Sequence, residues 1–330
     1  MRVWLFLLLA WPALGLQAFA QPVLDVKAVP RLSEAGRVDY ARFLGTNLPR
    51  AFAVGGVSAF GWFGGKGTAE VVQKAALDGC AAQGATDCRL YATDLTVVGQ
   101  PPLPGPPPAI VSTWNYSVEP DARYFWHGPA AAAGVYVWAH GSGAPHGTQP
   151  QPHVRAFNNA GYDVIRFDRE ANADERVRAG GWLADALRDL RGRGYRRVVV
   201  GGQSRGAWNG LMMLGTASLA DVVIAVSPAA HGSGGSTNLS AQFDDLRALV
   251  ADARPSRTRV AFVQFARDAF AGDPVGRRAL IDRLRPSVGG LLVIDQPPGI
   301  EGHGGGNTAL FGEQFGACLL RFAEGGPDHC

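Results

Sequence analysis

Six short runs rich in valine, isoleucine and leucine alternate with stretches of helical periodicity. The runs are Val135–Ala139, Val164–Phe167, Arg197–Val200, Val222–Val226, Val260–Phe265 and Leu291–Ile294. The helical stretches fall near 151–160, 174–193, 205–215, 241–252, 274–284 and 309–323. A strand followed by a helix cannot join the next strand through a tight turn; it returns by a crossover and lies parallel. Strands that are apolar without alternation are buried on both faces, so helices must cover both sides of their sheet. The expected fold class is α/β, a mostly parallel sheet with flanking helices. Val111–Val118 and Tyr124–His127 precede the alternation with no helix between them and read as leading antiparallel strands.

A smaller region stands in front. Six of the nine residues in Gln100–Pro108, QPPLPGPPP, are proline, which favours an extended, semi-rigid spacer. The chain then divides into a leader at 1–20, a small α+β module at 21–98, a linker at 99–109 and a large domain at 110–330. In the module, Ala51–Val54 and Phe60–Phe63 flank a glycine-rich stretch and read as a hairpin. Thr68 is placed to cap a helix whose apolar face is Val71, Val72, Ala75, Ala76 and Leu77, and Cys88–Ala92 reads as a strand.

Arg2, the apolar stretch Val3–Leu16 and the small residues of Ala18-Phe19-Ala20 form the pattern of a secretory signal peptide, with cleavage before Gln21. The stretch is shorter than the ~20 residues that span a bilayer, so no stable membrane span is expected after cleavage. Export, to a periplasm or outside the cell, would place Cys80, Cys88, Cys318 and Cys330 where disulfides persist. Four cysteines allow three connectivities. Proximity favours Cys80–Cys88 and Cys318–Cys330 over a metal site, for which no further His or Cys stands at ligand spacing.

Chemistry concentrates at Val198-Val199-Val200-Gly201-Gly202-Gln203-Ser204-Arg205-Gly206. A buried strand, then Gly-x-Ser-x-Gly, then helical residues is the pattern of a serine on a sharp strand-to-helix turn; glycines two before and two after let strand and helix approach without side-chain clash. Ser204 would stand at a helix N-terminus, where partial positive charge favours a developing alkoxide.

Residues 134–323 resemble an α/β-hydrolase, close to compact bacterial esterases and dienelactone-hydrolase-like members, in three segments that keep the family's order. Val137-Trp138-Ala139-His140-Gly141-Ser142-Gly143 is similar to the loop after the third strand that contributes to the oxyanion hole. Gly202–Gly206 resembles the nucleophile elbow, and Gly302-His303-Gly304 resembles the catalytic-histidine loop before the last helix. The resemblance implies Ser204 as nucleophile, His303 as general base, and the backbone N–H groups of Arg205 and Ser142 as oxyanion donors, with His140 orienting its loop. It implies a small-molecule acyl substrate and no cofactor or metal. The small module resembles a two-cysteine module of exported bacterial proteins. It holds no nucleophile–base pair, so a packing or partner-binding role is expected for it.

The acid should follow Val260–Phe265, since the order in this fold is Ser, acid, His. Asp268 and Asp273 are the candidates. Closeness to the strand end favours Asp268, while Asp273-Pro274 equally suits a helix N-cap with proline at the first helical position. Arg169, Trp208 and His231 lie where substrate contacts are found, and Arg205 or Arg169 can recognise a carboxylate; pairing with Asp168 or Glu170 is the structural alternative for the arginines. His127, His146, His153 and His329 are expected on the surface or in turns. A formal charge of +3, with no dense basic run, gives no reason to expect nucleic acid. Ester hydrolysis leads, with a peptidase or acyltransferase on the same residues, or a non-catalytic binding protein, as alternatives.

Overall fold

The computed structural model describes residues 21–101, 103–170, 176–216, 219–231 and 239–330. The expected signal segment lies outside the described residues. The chain runs α1 Glu34–Gly45, β1 Arg50–Gly55, β2 Ala59–Gly64, α2 Ala69–Ala81, β3 Arg89–Thr93, β4 Thr96–Val97, β5 Val111–Ser112, β6 Tyr116–Pro120, β7 Gly134–Ala139 and α3 Val154–Asn159. It continues through β8 Tyr162–Arg169, α4 Arg176–Gly192, β9 Val198–Gln203, α5 Arg205–Met212, β10 Val222–Val226, α6 Leu239–Asp252, β11 Arg259–Gln264, α7 Pro274–Asp282, β12 Gly290–Asp295 and α8 Ala309–Ala323.

β1–β4 form an antiparallel sheet in the order β2-β1-β3-β4. Alternation sets its two faces: Phe52 and Val54 pack with Tyr40 and Phe43 of α1, and Ala51 and Ala53 pack with Val72 and Ala76 of α2. A Cβ on Gly61 would lie 2.2 Å from Ala76 O, which is why α2 can sit directly on β2. Thr68 caps α2 through Val71 N–H. The Cys80–Cys88 disulfide, with Cα atoms 6.0 Å apart, ties the end of α2 to the start of β3.

The other eight strands form one sheet in the order β12-β11-β10-β9-β7-β8-β6-β5. β7 to β12 are mutually parallel, and β6 and β5 are antiparallel additions at one edge. Successive residues of one strand serve opposite layers. Val135, Val137 and Ala139 face the core completed by α4, α5 and α7, whereas Tyr136 and Trp138 face α3 and α8. The layers do not stop at the linker: Phe125 joins the core of the small sheet, as does the half-buried Leu103. Leu44 O at the end of α1 accepts from both Arg50 and Asn159 of α3, at 2.6 and 2.9 Å. Among the described residues no helix is long and apolar enough to cross a membrane.

Three features depart from the sequence expectations. The run Val111–Val118 breaks at Thr113–Asn115 into the hairpin β5–β6, where the Thr113 hydroxyl accepts from Asn115 and Tyr116 N–H. Tyr124–His127 is a loop and not a strand: Asn158 holds both the N–H and the carbonyl of Phe125, and Asp163 accepts from His127 N–H, so side chains replace ladder partners. α1 adds a helix to what reads as strand, helix, strand. Its Ser33 cap and its apolar Tyr40, Phe43 and Leu44 are ordinary helix signals.

Candidate active site

The C-terminal ends of β7, β9, β10, β11 and β12 lie along one edge, and their loops bring together Gln203 and His303, a hundred positions apart. At the end of β9, Ser204 has φ 55° and ψ −119°, a region that bulky residues avoid. The turn closes this tightly because of its glycines. A Cβ on Gly202 would lie 2.5 Å from Gly206 C, and one on Gly206 would lie 2.0 Å from Ala139 O, backbone positions that cannot yield. Ser204 is the residue before α5, and its N–H donates to Val226 O at 3.1 Å, fixing the turn to β10. Arg205 opens α5, so its backbone N–H is one of those that a helix start directs outward.

Beyond β11, Asp268 is almost wholly buried. His303 Nδ1 lies 2.9 Å from Asp268 Oδ1 and 3.0 Å from Oδ2, and Phe270 N–H donates to Oδ1 at 2.8 Å. A buried carboxylate accepts only, so Nδ1 carries the proton and the Nε2 lone pair is left as a proton acceptor. The two loops are stitched by a parallel bridge between Ala266 and Glu301, by Gly302 N–H donating to Ala266 O at 2.8 Å, and by an Arg267–Glu301 ion pair. The Phe270 ring lies 4.4 Å from the imidazole, centroid to centroid. Asp273 is elsewhere: it caps α7, accepting from Gly276 N–H at 2.9 Å.

The sequence reading missed Gln203, the variable position of Gly-x-Ser-x-Gly. Its Nε2 donates to His303 O at 3.2 Å, and a Cβ on Gly141 would lie 2.5 Å from its Oε1. One side chain thus touches the serine turn, the histidine loop and the loop after β7. Among the described residues, no hydrogen bond joins the Ser204 hydroxyl to His303; Gln203 makes the link. Catalytic hydrogen bonds often tighten only when substrate arrives.

The loop after β7 is built around the buried His140. Arg169 N–H donates to its Nε2 at 3.0 Å, which leaves Nδ1 as the donor to Gly141 O at 2.7 Å. Arg169 Nη2 also donates to His140 O at 2.6 Å. The exposed Ser142 follows directly. Arg169, expected as a substrate contact, is therefore buried as a support for this loop, and Trp208 of α5 lies in the core. Arg205 Nη2 donates to Ala230 O at 2.9 Å. His231 pairs with Asp245 of α6 at 2.5 Å. His153, expected on the surface or in a turn, lies in the turn before α3 but is fully buried, beside the Tyr136 hydroxyl at 2.8 Å. Burial pushes its imidazole down to about 3. Among the described residues, Glu119, His146 and Asp168 lie within metal-ligand reach of one another, but Arg166 already pairs with both carboxylates, at 2.8 and 2.9 Å.

The strand order, the strained serine turn after β9 and the histidine loop between β12 and α8 make this an α/β-hydrolase fold. No protein-family model matches the chain, and no curated protein does. Among solved structures it is similar to Est1E from Butyrivibrio proteoclasticus, at 11% identity and TM-score 0.47, over 64% of this chain and 97% of that one. It is similar also to the Pyrococcus furiosus esterase Pf2001, at 17% identity and TM-score 0.41, over 58% and 81%. A prolyl endopeptidase matches at 13% identity and TM-score 0.44, over 73% and 41%.

Proposed function

We propose that the chain is an exported serine hydrolase that cleaves carboxylic esters of small acyl substrates through an acyl-enzyme. Ser204 is the nucleophile, His303 the general base and Asp268 the group that orients and stabilises the imidazole. The observation that carries this reading is the buried Asp268 holding His303 Nδ1 on a loop tied, through Gln203, to the strained Ser204 turn.

As Ser204 Oγ attacks the acyl carbon, its proton passes to His303 Nε2, and the carbonyl oxygen becomes an oxyanion held by the backbone N–H groups of Arg205 and Ser142. Collapse expels the alcohol, which takes the proton from the imidazolium. Water then attacks the acyl-enzyme, giving its proton to the same nitrogen, and the carboxylic acid leaves with the serine restored. Asp268 stabilises the imidazolium throughout without taking its proton. The two disulfides support export to an oxidising compartment.

Turnover of p-nitrophenyl acetate and butyrate tests the reaction class. A burst of about one equivalent of nitrophenol per chain is expected, followed by steady hydrolysis, both lost at least ~10³-fold in Ser204→Ala. Faster turnover of the matched amides would replace ester hydrolysis by peptidase chemistry. Absence of turnover on every acyl substrate would overturn the proposal.

A further inference from the structure

At the opposite edge of the large sheet, where β9, β10 and β11 begin, four arginines converge on a cavity of about 230 Å³. Arg196 and Arg197 precede β9, Arg257 precedes β11 and Arg259 is its first residue; Asp221, Val222, Ala323 and Gly325 complete the lining. We propose that this cavity binds a phosphate- or sulfate-type oxyanion.

The charge balance around it carries the argument. Arg197 donates to a neutral acceptor, Ala323 O, at 3.0 Å. Arg259 donates to Gly326 O at 2.6 Å and to Asp328 at 2.8 Å, while its Nε is buried without an acceptor. Among the described residues the Arg196 and Arg257 guanidinium groups, both on exposed residues, have no carboxylate and no hydrogen-bond acceptor. The carboxylate in the lining, Asp221, is engaged elsewhere: its Oδ2 accepts from Arg191 and from Val198 N–H, each at 2.7 Å. Positive charge therefore exceeds negative at this cavity.

Guanidinium forks match tetrahedral oxyanions in geometry and remain charged at any physiological pH. The floor is fixed. Arg259 is held by the C-terminal tail, which the Cys318–Cys330 disulfide fastens to α8 and which Asp328 joins to Leu291 N–H at 3.2 Å. The site is independent of ester cleavage, since β9 separates it from Ser204 by six residues of extended chain, about 20 Å.

Calorimetric titration of the full mature chain with inorganic phosphate, at low ionic strength, tests the proposal. One saturable site is expected, weakened at least tenfold in the Arg196→Gln/Arg257→Gln double variant. The control Arg188→Gln/Arg247→Gln removes the same charge from exposed residues that pair with acids on their own helices, and it should bind phosphate as the parent does. A second arm uses a sulfated polysaccharide. Binding to it that falls with the first double variant alone shows that the cavity also takes an oxyanion carried on a polymer. No saturable phosphate binding, or equal loss in both double variants, would overturn the proposal by reducing the effect to general surface charge. Each variant should retain p-nitrophenyl acetate turnover, which shows that it is folded.

Discussion

The two sheets of this molecule are made from similar residues and do different things. In the small sheet the chain turns back on itself: β1 and β2 are joined by a short turn, β3 and β4 by another, and the disulfide closes a span of eight residues. In the large sheet every parallel strand must return by a crossover, so all of its C-terminal ends meet at one edge. The Ser204 turn, Asp268 and the His303 loop therefore lie at the same edge although far apart in sequence. A hairpin sheet brings neighbours together. A parallel sheet brings strangers together, which is what a site assembled from a nucleophile, an acid and a base requires.

Substitutions at the shared edge should remove chemistry and those in the small sheet should remove stability. The largest expected effect is from Asp268→Asn, which keeps the shape but presents an amide to Nδ1; kcat should fall by about 10⁴-fold, as such a change does in other serine triads, with the melting temperature little changed. Comparable kcat in that variant and the parent would mean that Asp268 is not the orienting group.

Gly206→Ala comes next. Its Cβ would lie 2.0 Å from Ala139 O, so a cost at or beyond the ~1–3 kcal/mol usual for overpacking is expected, together with lost activity as the serine turn moves. The counterpart outside the large sheet is Gly45→Ala, at the end of α1, where a Cβ would meet nothing within 4 Å. That substitution should be neutral or stabilising by up to ~1 kcal/mol, and chemical denaturation separates the two outcomes.

Opening the small sheet's staple with Cys80→Ser/Cys88→Ser should cost about 2–3 kcal/mol, from the entropy of so short a loop, and leave kcat on p-nitrophenyl esters near the parent value. A loss of kcat at full folding would show that the two regions are coupled.

The last effect is graded with pH. His153, held down to about 3 by burial, stays neutral in the folded chain, whereas an unfolded chain takes up a proton below about 6.5. Its contribution to stability is complete above that pH and declines as pH falls toward 3, by up to about 1.4 kcal/mol per unit. Urea midpoints between pH 7 and 4 should fall less steeply in His153→Gln, and equal slopes would contradict this role.

The parallel strands were legible because burial on both faces demands continuous valine and isoleucine, and those runs have no other use. Gly-x-Ser-x-Gly was legible for a related reason: the turn tolerates no Cβ at either glycine. Asp268 and Asp273 could be ranked by distance from the strand end, but their separation into a histidine partner and a helix cap required coordinates. Gln203 carried no signal, since it occupies the position that the motif leaves open. Arg169 and Trp208 misled for the opposite reason. They stand beside the functional loops in sequence, yet one supports the His140 carbonyl from below and the other fills the core. The loop at 124–127 reads as a strand because Tyr, Phe and Trp favour sheets; side chains of Asn158 and Asp163, distant in sequence, satisfy its backbone instead.

Everything assigned to the shared edge depends on a nucleophilic oxygen at Ser204 activated by His303. Intact-mass analysis after exposure to a fluorophosphonate probe reads this directly. The parent should gain one adduct, mapped to the peptide that contains Ser204, and both Ser204→Ala and His303→Ala should remain unmodified while folded. A folded Ser204→Ala chain that still takes the adduct, or a parent that never does, would contradict the assignment.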